Sequence, residues 1–273
     1  MKSSSIDSNY TKVPTKSYKR VYVWELPVRV FHWINALCIV VLGVTGFIIA
    51  DPPALLSQHE AWETFTFAKV KVVHFITAYI FVGTILMRVY WSFVGNQYAH
   101  WSAFIPLTKK ARKNIVHVLK HDIFLMKDPR HRLSDISIGH NFLASTTYFI
   151  MFFVALVLIF TGFGLYSGLS AWWFPNLFAW VPSFLGGDFL TRQIHHFSMW
   201  IVIFFIIIHV YLALFHDWLH ARGEVSTIIS GFKFVRTERV KQEEIKTGET
   251  VRANRSINME VDYEDEDEYS NEE

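Results

Sequence analysis

The chain has 273 residues, 52% of them hydrophobic and 17% aromatic, and its mean hydropathy is above zero, which is unusual for a soluble protein and ordinary for one that faces lipid. A net charge of +2 conceals a segregation: basic residues crowd three segments and acidic ones the last fifteen residues, and no nucleic-acid partner is expected. The single cysteine, Cys38, lies in an apolar run, which excludes a disulfide, a thiolate metal site or a CxxCH haem attachment within the chain.

The N-terminal stretch MKSSSIDSNYTKVPTKSYKR is polar and lacks the apolar core of a signal peptide, so it is expected to stay on the mature protein. Four windows, near 30–50, 70–94, 141–165 and 193–216, are long and apolar enough to cross a hydrocarbon core that needs about 20 helical residues. Lys and Arg number six before the first window, eight in the loop 95–139 and eight in 217–258, while the loops 51–68 and 166–191 contain none. The positive-inside rule then places both termini and the middle loop in the cytoplasm. The expected fold is an all-α integral membrane protein, a bundle of four transmembrane helices. Its parts are a cytoplasmic segment 1–28, a membrane domain 29–223 and a cytoplasmic tail 224–273. Trp24, Trp33, Tyr90, Trp91 and Trp218 near the window ends read as interfacial belts.

The segments between windows differ by side. KKARKNIVHVLKHDIFLMK, 109–127, interrupts basic residues with Ile115, Val116, Val118 and Leu119, as expected of a helix on anionic lipid, with His117 and His121 on its polar face. AWWFPNLFAWVPSFLGG, 171–187, is aromatic and free of positive charge: it is either buried in the lipid interface or a docking surface for a partner. From Thr237 onward, few apolar residues precede the acidic end VDYEDEDEYSNEE, and a disordered tail is expected. No internal repeat is apparent.

The functional signal is histidine inside the apolar windows, since ionisable side chains at membrane depth point by default to a functional site. His195 and His209 are fourteen residues apart, which on a helix leaves them about 40° apart in angle and roughly 21 Å apart along the axis. His196 falls about 140° from His209 and is not equivalent. Given the alternating helix directions, His74 lies level with His195, and His32 level with His209. Each pair could clamp an iron from opposite faces of a porphyrin, since imidazole is a common haem ligand. Six-coordinate iron suits electron transfer. Against this stand a hydrogen bond to a neighbouring helix for any single histidine, and a di-histidine proton relay for the set. Gly43, Gly46 and Gly83 follow the histidines of the first two helices, where glycine lets a flat ring approach or lets helices pack. His59, His100, His131, His216 and His220 lie in loops or at helix ends and need no role. His196 could bond a propionate, line a proton path or touch a partner.

RVFHWINALCIVVLGVTG, Arg29–Gly46, and HHFSMWIVIFFIIIH, His195–His209, together with WELPVRVFHW and GHNFLA, resemble the signature segments of the b-type cytochrome subunit of membrane-bound nickel-iron hydrogenases, over about Tyr22 to Gly223. Dihaem subunits of formate dehydrogenases share the four-helix plan. The resemblance implies two haem b groups ligated by His32, His74, His195 and His209, paired His74 with His195 and His32 with His209. It implies a prokaryotic inner-membrane subunit that anchors a periplasm-facing hydrogenase, accepts electrons from its iron-sulfur small subunit beside the nickel-iron large subunit, and reduces quinone. It implies that the hydrogen-splitting site lies in the partner and not in this chain. His140 and Asn141 are the candidate quinone contacts, with a helix cap the rival role for Asn141. Arg29 could pair with a haem propionate or snorkel to lipid phosphate, and Arg88 and Arg192 share that choice. Service to another respiratory enzyme, such as formate dehydrogenase or thiosulfate reductase, is an alternative, as is a haem-free membrane anchor or transporter.

Overall fold

The computed structural model describes residues 15–53, 65–101, 138, 142–220, 224–237, 240–241, 244–245, 250–251 and 253–260. His59, His117, His121, His131, His140, Asn141, the stretch 109–127 and the acidic end 261–273 lie outside the described residues, as do the side chains of His216 and His220.

Four long helices follow the four apolar windows: α1 (Leu26–Ala50), α2 (Thr66–Val94), α3 (Phe142–Ser167) and, after two short helices α4 (Trp173–Asn176) and α5 (Trp180–Leu185), α6 (Asp188–His220). Three start before their windows, α1 and α2 by about four residues and α6 by five, because a hydropathy window ends where charges begin and a helix does not. Pro27 sits in the first turn of α1, where its missing N–H costs nothing. At the same end of the bundle, α2 stops at Gly95, whose N–H donates to the carbonyl of Trp91. Few residues within these spans are buried. The exposed apolar side chains, such as Leu37, Val40 and Val44 on α1, suit a surface solvated by lipid.

The bundle is two antiparallel pairs. α1 packs on α2 and α3 on α6, and the pairs meet through Cys38 and Phe81 of the first against Ile159 and Phe163 of the second. Phe75 of α2 and Tyr166 of α3 add a ring contact at 4.1 Å. The aromatic hairpin α4–α5 caps one end. Phe174 and Phe178 turn inward onto Phe163, and Gly164 lets α5 come down on α3, since a Cβ there would meet Pro182 and Val181 at 3.1 Å. Trp173 and Phe184 stay outward, 63% and 77% exposed.

The other end holds a small sheet that the sequence reading does not contain. β1 (Thr15–Tyr22) pairs antiparallel with β2 (Phe232–Arg236) on one side and β3 (Ala253–Glu260) on the other, and α7 (Glu224–Ser230) precedes β2. The membrane part is helical as expected; the all-α description fails here. Disorder from Thr237 onward is likewise corrected at Ala253–Glu260, which is held by the free edge of β1 and not by apolar content of its own. Val21, Val23, Val235, Val240 and Val251 form a satellite core beside Tyr98 and Ile138. Gly231 ties this unit to α1. Its carbonyl accepts from the N–H groups of Val23 and Trp24, its φ is +85°, and a Cβ would lie 2.6 Å from the Trp24 carbonyl oxygen.

Candidate functional site

Between the two helix pairs lies a cavity of about 1120 Å³, lined by all four long helices. That exceeds the roughly 300–1,000 Å³ of ordinary small-molecule pockets. Its wall is mainly aliphatic and aromatic, with Ile39, Leu42, Phe81, Ile85, Ile159 and Val202 among the lining residues. Polar groups gather at its ends: Lys71, Arg192, His74, His195 and His196 toward the hairpin, and Asn35, Arg88, Ser92 and Tyr148 toward the sheet.

His74 projects from the first third of α2 toward α1, where its Nδ1 lies 2.8 Å from Thr45 Oγ1. His195, near the start of α6, meets α3 in the same way, with Nδ1 2.8 Å from Thr161 Oγ1. The two imidazoles lie within electrostatic reach of each other at the hairpin end. Glycine follows each threonine. A Cβ on Gly46 would lie 3.7 Å from His74 Cε1, and one on Gly162 only 3.0 Å from His195 Cε1. Of the glycines singled out by sequence, Gly46 makes this approach, whereas a Cβ on Gly43 or Gly83 would meet nothing within 4 Å.

His32 and His209 lie within electrostatic reach of each other at the sheet end. They are not among the lining residues of the cavity. His209 stacks on Phe205 at 5.4 Å and 17° and lies 6.0 Å from the Tyr148 ring. His32 Nδ1 is buried without a hydrogen-bond partner among the described residues. Thirteen residues separate His32 from Thr45 on α1 and fourteen separate His195 from His209 on α6, so the two levels are about 20 Å apart.

The remaining candidates are placed individually. Arg29 donates an N–H to the carbonyl of Ile229 on α7, and its Nε is buried without a partner among the described residues. Arg88 lines the cavity, donates to the Ala99 carbonyl and lies over the Phe31 ring. His196 also lines the cavity, edge-on to Phe47 at 6.3 Å. His100 lies beside Trp101. Thr45, Thr161 and Gly162 were passed over by sequence reasoning, yet a signal exists: V-L-x-x-T-G-F occurs at Val41–Phe47 and again at Val157–Phe163.

His74 and His195, beside a large apolar cavity and each with a glycine close to its ring, fit a porphyrin iron, and His32 and His209 are two further imidazoles at the other level. Across residues 23–231 the sequence matches the family model described as prokaryotic cytochrome b561. The chain belongs to that family. This b-type cytochrome is 37% identical over 222 residues to a protein of Cupriavidus necator named "Probable Ni/Fe-hydrogenase B-type cytochrome subunit", covering 80% of this chain and 88% of that one. A protein of the same name from Azotobacter vinelandii is 34% identical over 239 residues, covering 86% and 97%. The "Probable Ni/Fe-hydrogenase 1 B-type cytochrome subunit" of Escherichia coli K12 is 34% identical over 217 residues, covering 78% and 90%. Four spans of lipid-suited helix make the cytochrome a multi-pass membrane protein.

Proposed function

We propose that this cytochrome is the dihaem membrane subunit of a nickel-iron uptake hydrogenase, passing electrons from the iron-sulfur subunit to membrane quinone. What supports the reading is that His74 lies within electrostatic reach of His195 and His32 within that of His209, in a chain whose relatives are named as hydrogenase cytochrome subunits. When bound, haem b supplies reversible one-electron transfer at iron. The chain's own residues do the rest. His74 with His195, and His32 with His209, would hold the haem irons, and the apolar wall of the cavity would keep water away.

Polarity follows from charge. With Lys and Arg confined to 1–29, 95–139 and 217–258 outside the helices, the sheet end faces the cytoplasm and the hairpin end the periplasm of the inner membrane. The iron-sulfur partner then docks at the hairpin end. His140 and Asn141, by their position before α3, are the proposed quinone contacts on the cytoplasmic side. Inward electron movement opposes the membrane potential by about 2.3 kcal/mol per 100 mV, so the drop from hydrogen to quinone drives it.

The test is a reduced-minus-oxidised spectrum of the purified cytochrome, followed by hydrogen addition to membranes with and without the copurifying subunits. Two b-type haems per chain, reduced by hydrogen only with the partner present, are expected. A haem-free product, or copurification with a different dehydrogenase, overturns the reading.

A further inference from the structure

The two hairpin-end histidines are held by one device used twice. Thr45 Oγ1 lies 2.6 Å from the carbonyl oxygen of Val41 and 3.3 Å from that of Leu42. Thr161 Oγ1 lies 2.6 Å from the carbonyl of Val157 and 3.3 Å from that of Leu158. A carbonyl cannot donate, so in each case the hydroxyl proton is committed to the helix turn behind it. The same oxygen is 2.8 Å from a histidine Nδ1, and with its only proton already used it must accept there. Nδ1 of His74 and of His195 therefore carries the hydrogen. Nε2 is left with the lone pair, which is what an imidazole needs in order to bind a metal.

The repetition argues against an accident of packing. Threonine back-bonding in a membrane helix is ordinary, but here two helices of different pairs present the same V-L-x-x-T-G-F segment to the facing histidine. The following glycine adds room at Cε1, tightest at Gly162. The sheet-end level lacks the device on at least one side, since His32 Nδ1 has no hydrogen-bond partner among the described residues.

We propose that Thr45 and Thr161 are positioning residues that fix the tautomer, the ring orientation and the donor strength of His74 and His195 as axial ligands, and that they act on the hairpin-end haem alone. The inference rests on the reading of His74 and His195 as iron ligands. A histidine whose Nδ1–H is held by an acceptor is a stronger donor through Nε2, and stronger donation favours ferric iron. Losing the hydroxyl should raise the reduction potential of that haem.

The experiment compares Thr45→Val, Thr161→Val and the double variant with Thr45→Ser and Thr161→Ser in the purified holo-cytochrome. Valine keeps the shape without the hydroxyl; serine keeps the hydroxyl without the methyl. Redox titration of the haem absorbance and the g values of the ferric low-spin signals are read together. One haem should shift upward in each valine variant and further in the double variant, with changed g values, while the second haem stays put and serine restores the parent behaviour. Loss of one haem in the valine variants that serine reverses supports the proposal equally. Unchanged potentials and g values in the valine variants, or equal loss in valine and serine variants, overturn it. His74→Ala and His195→Ala serve as controls: if either still holds both haems, the ligand assignment fails and takes this inference with it, whereas haem loss there with unaffected threonine variants overturns the threonine role alone.

Discussion

Gly162 and His195 face each other so closely that a methyl group on the glycine would sit 3.0 Å from the imidazole Cε1, whereas the same addition at Gly46 would stand 3.7 Å from His74. The first distance forces the ring to move and the second is ordinary contact. Overpacking of this kind typically costs about 1–3 kcal/mol, and here it falls on a proposed ligand. Gly162→Ala should weaken retention of one haem, read as haem per protein after purification, and Gly46→Ala should retain both. Equal retention in the two variants would show that His195 has room to spare.

The pairing of ligands makes a second prediction. His74→Ala or His195→Ala should remove the hairpin-end haem, and His32→Ala or His209→Ala the sheet-end haem, each variant keeping roughly half the haem of the parent if each pair holds one iron. The two classes should also differ in the potential of the haem that remains. Loss of both haems in every single variant, with the helical content intact, would reject the pairing.

These sites were unequally legible in the sequence. The membrane helices announce themselves because lipid demands long apolar runs, and the fourteen-residue interval from His195 to His209 carries its own register. Thr45 and Thr161 carry no such mark. A threonine in a membrane helix satisfies itself on its own backbone, so only the partner histidine across the interface reveals the second bond. The sheet was hidden for a different reason. β1 is the polar stretch TKSYKRVY, and its partners lie more than 200 residues away. Val21 in the strand and Val23 just after it are buried beside Val235, Val240 and Val251, and no local period encodes such pairing.

The junction between that sheet and the first helix pair can be tested at Glu25. Its Oε2 accepts from Trp91 Nε1 and from the backbone N–H of Asn96, both at 2.9 Å, while Asn96 Nδ2 donates to the Val23 carbonyl at 2.9 Å. Hydrogen bonds to charged groups contribute about 1.5–3 kcal/mol each when sheltered, and partial exposure puts this pair toward the low end. Glu25→Ala should lower stability by about 3 kcal/mol, seen as an earlier thermal transition in detergent. Trp91→Phe, which loses one bond of the two, should cost less. A Glu25→Ala variant that melts with the parent would show the clasp to be ornamental.

The orientation of the cytochrome is open to chemical labelling, because the only native thiol is out of reach. Cys38 is 4% exposed within α1, whereas Leu169 after α3 is 73% exposed at the hairpin end and Ile245 is 85% exposed on the sheet side. The loops 51–68 and 166–191 hold no Lys or Arg, and the orientation proposed from the positive-inside rule has them outside the cytoplasm. In right-side-out spheroplasts a membrane-impermeant maleimide should therefore label Leu169→Cys and leave Ile245→Cys untouched until the membrane is opened. Inverted vesicles should show the opposite pattern. Since the pair His74 and His195 shares the Leu169 end and His32 and His209 the other, this labelling also decides which histidine pair lies on the outer side, where the proposed electron donor docks. Labelling of Ile245→Cys from outside would reverse the assignment, placing the donor beside His32 and His209.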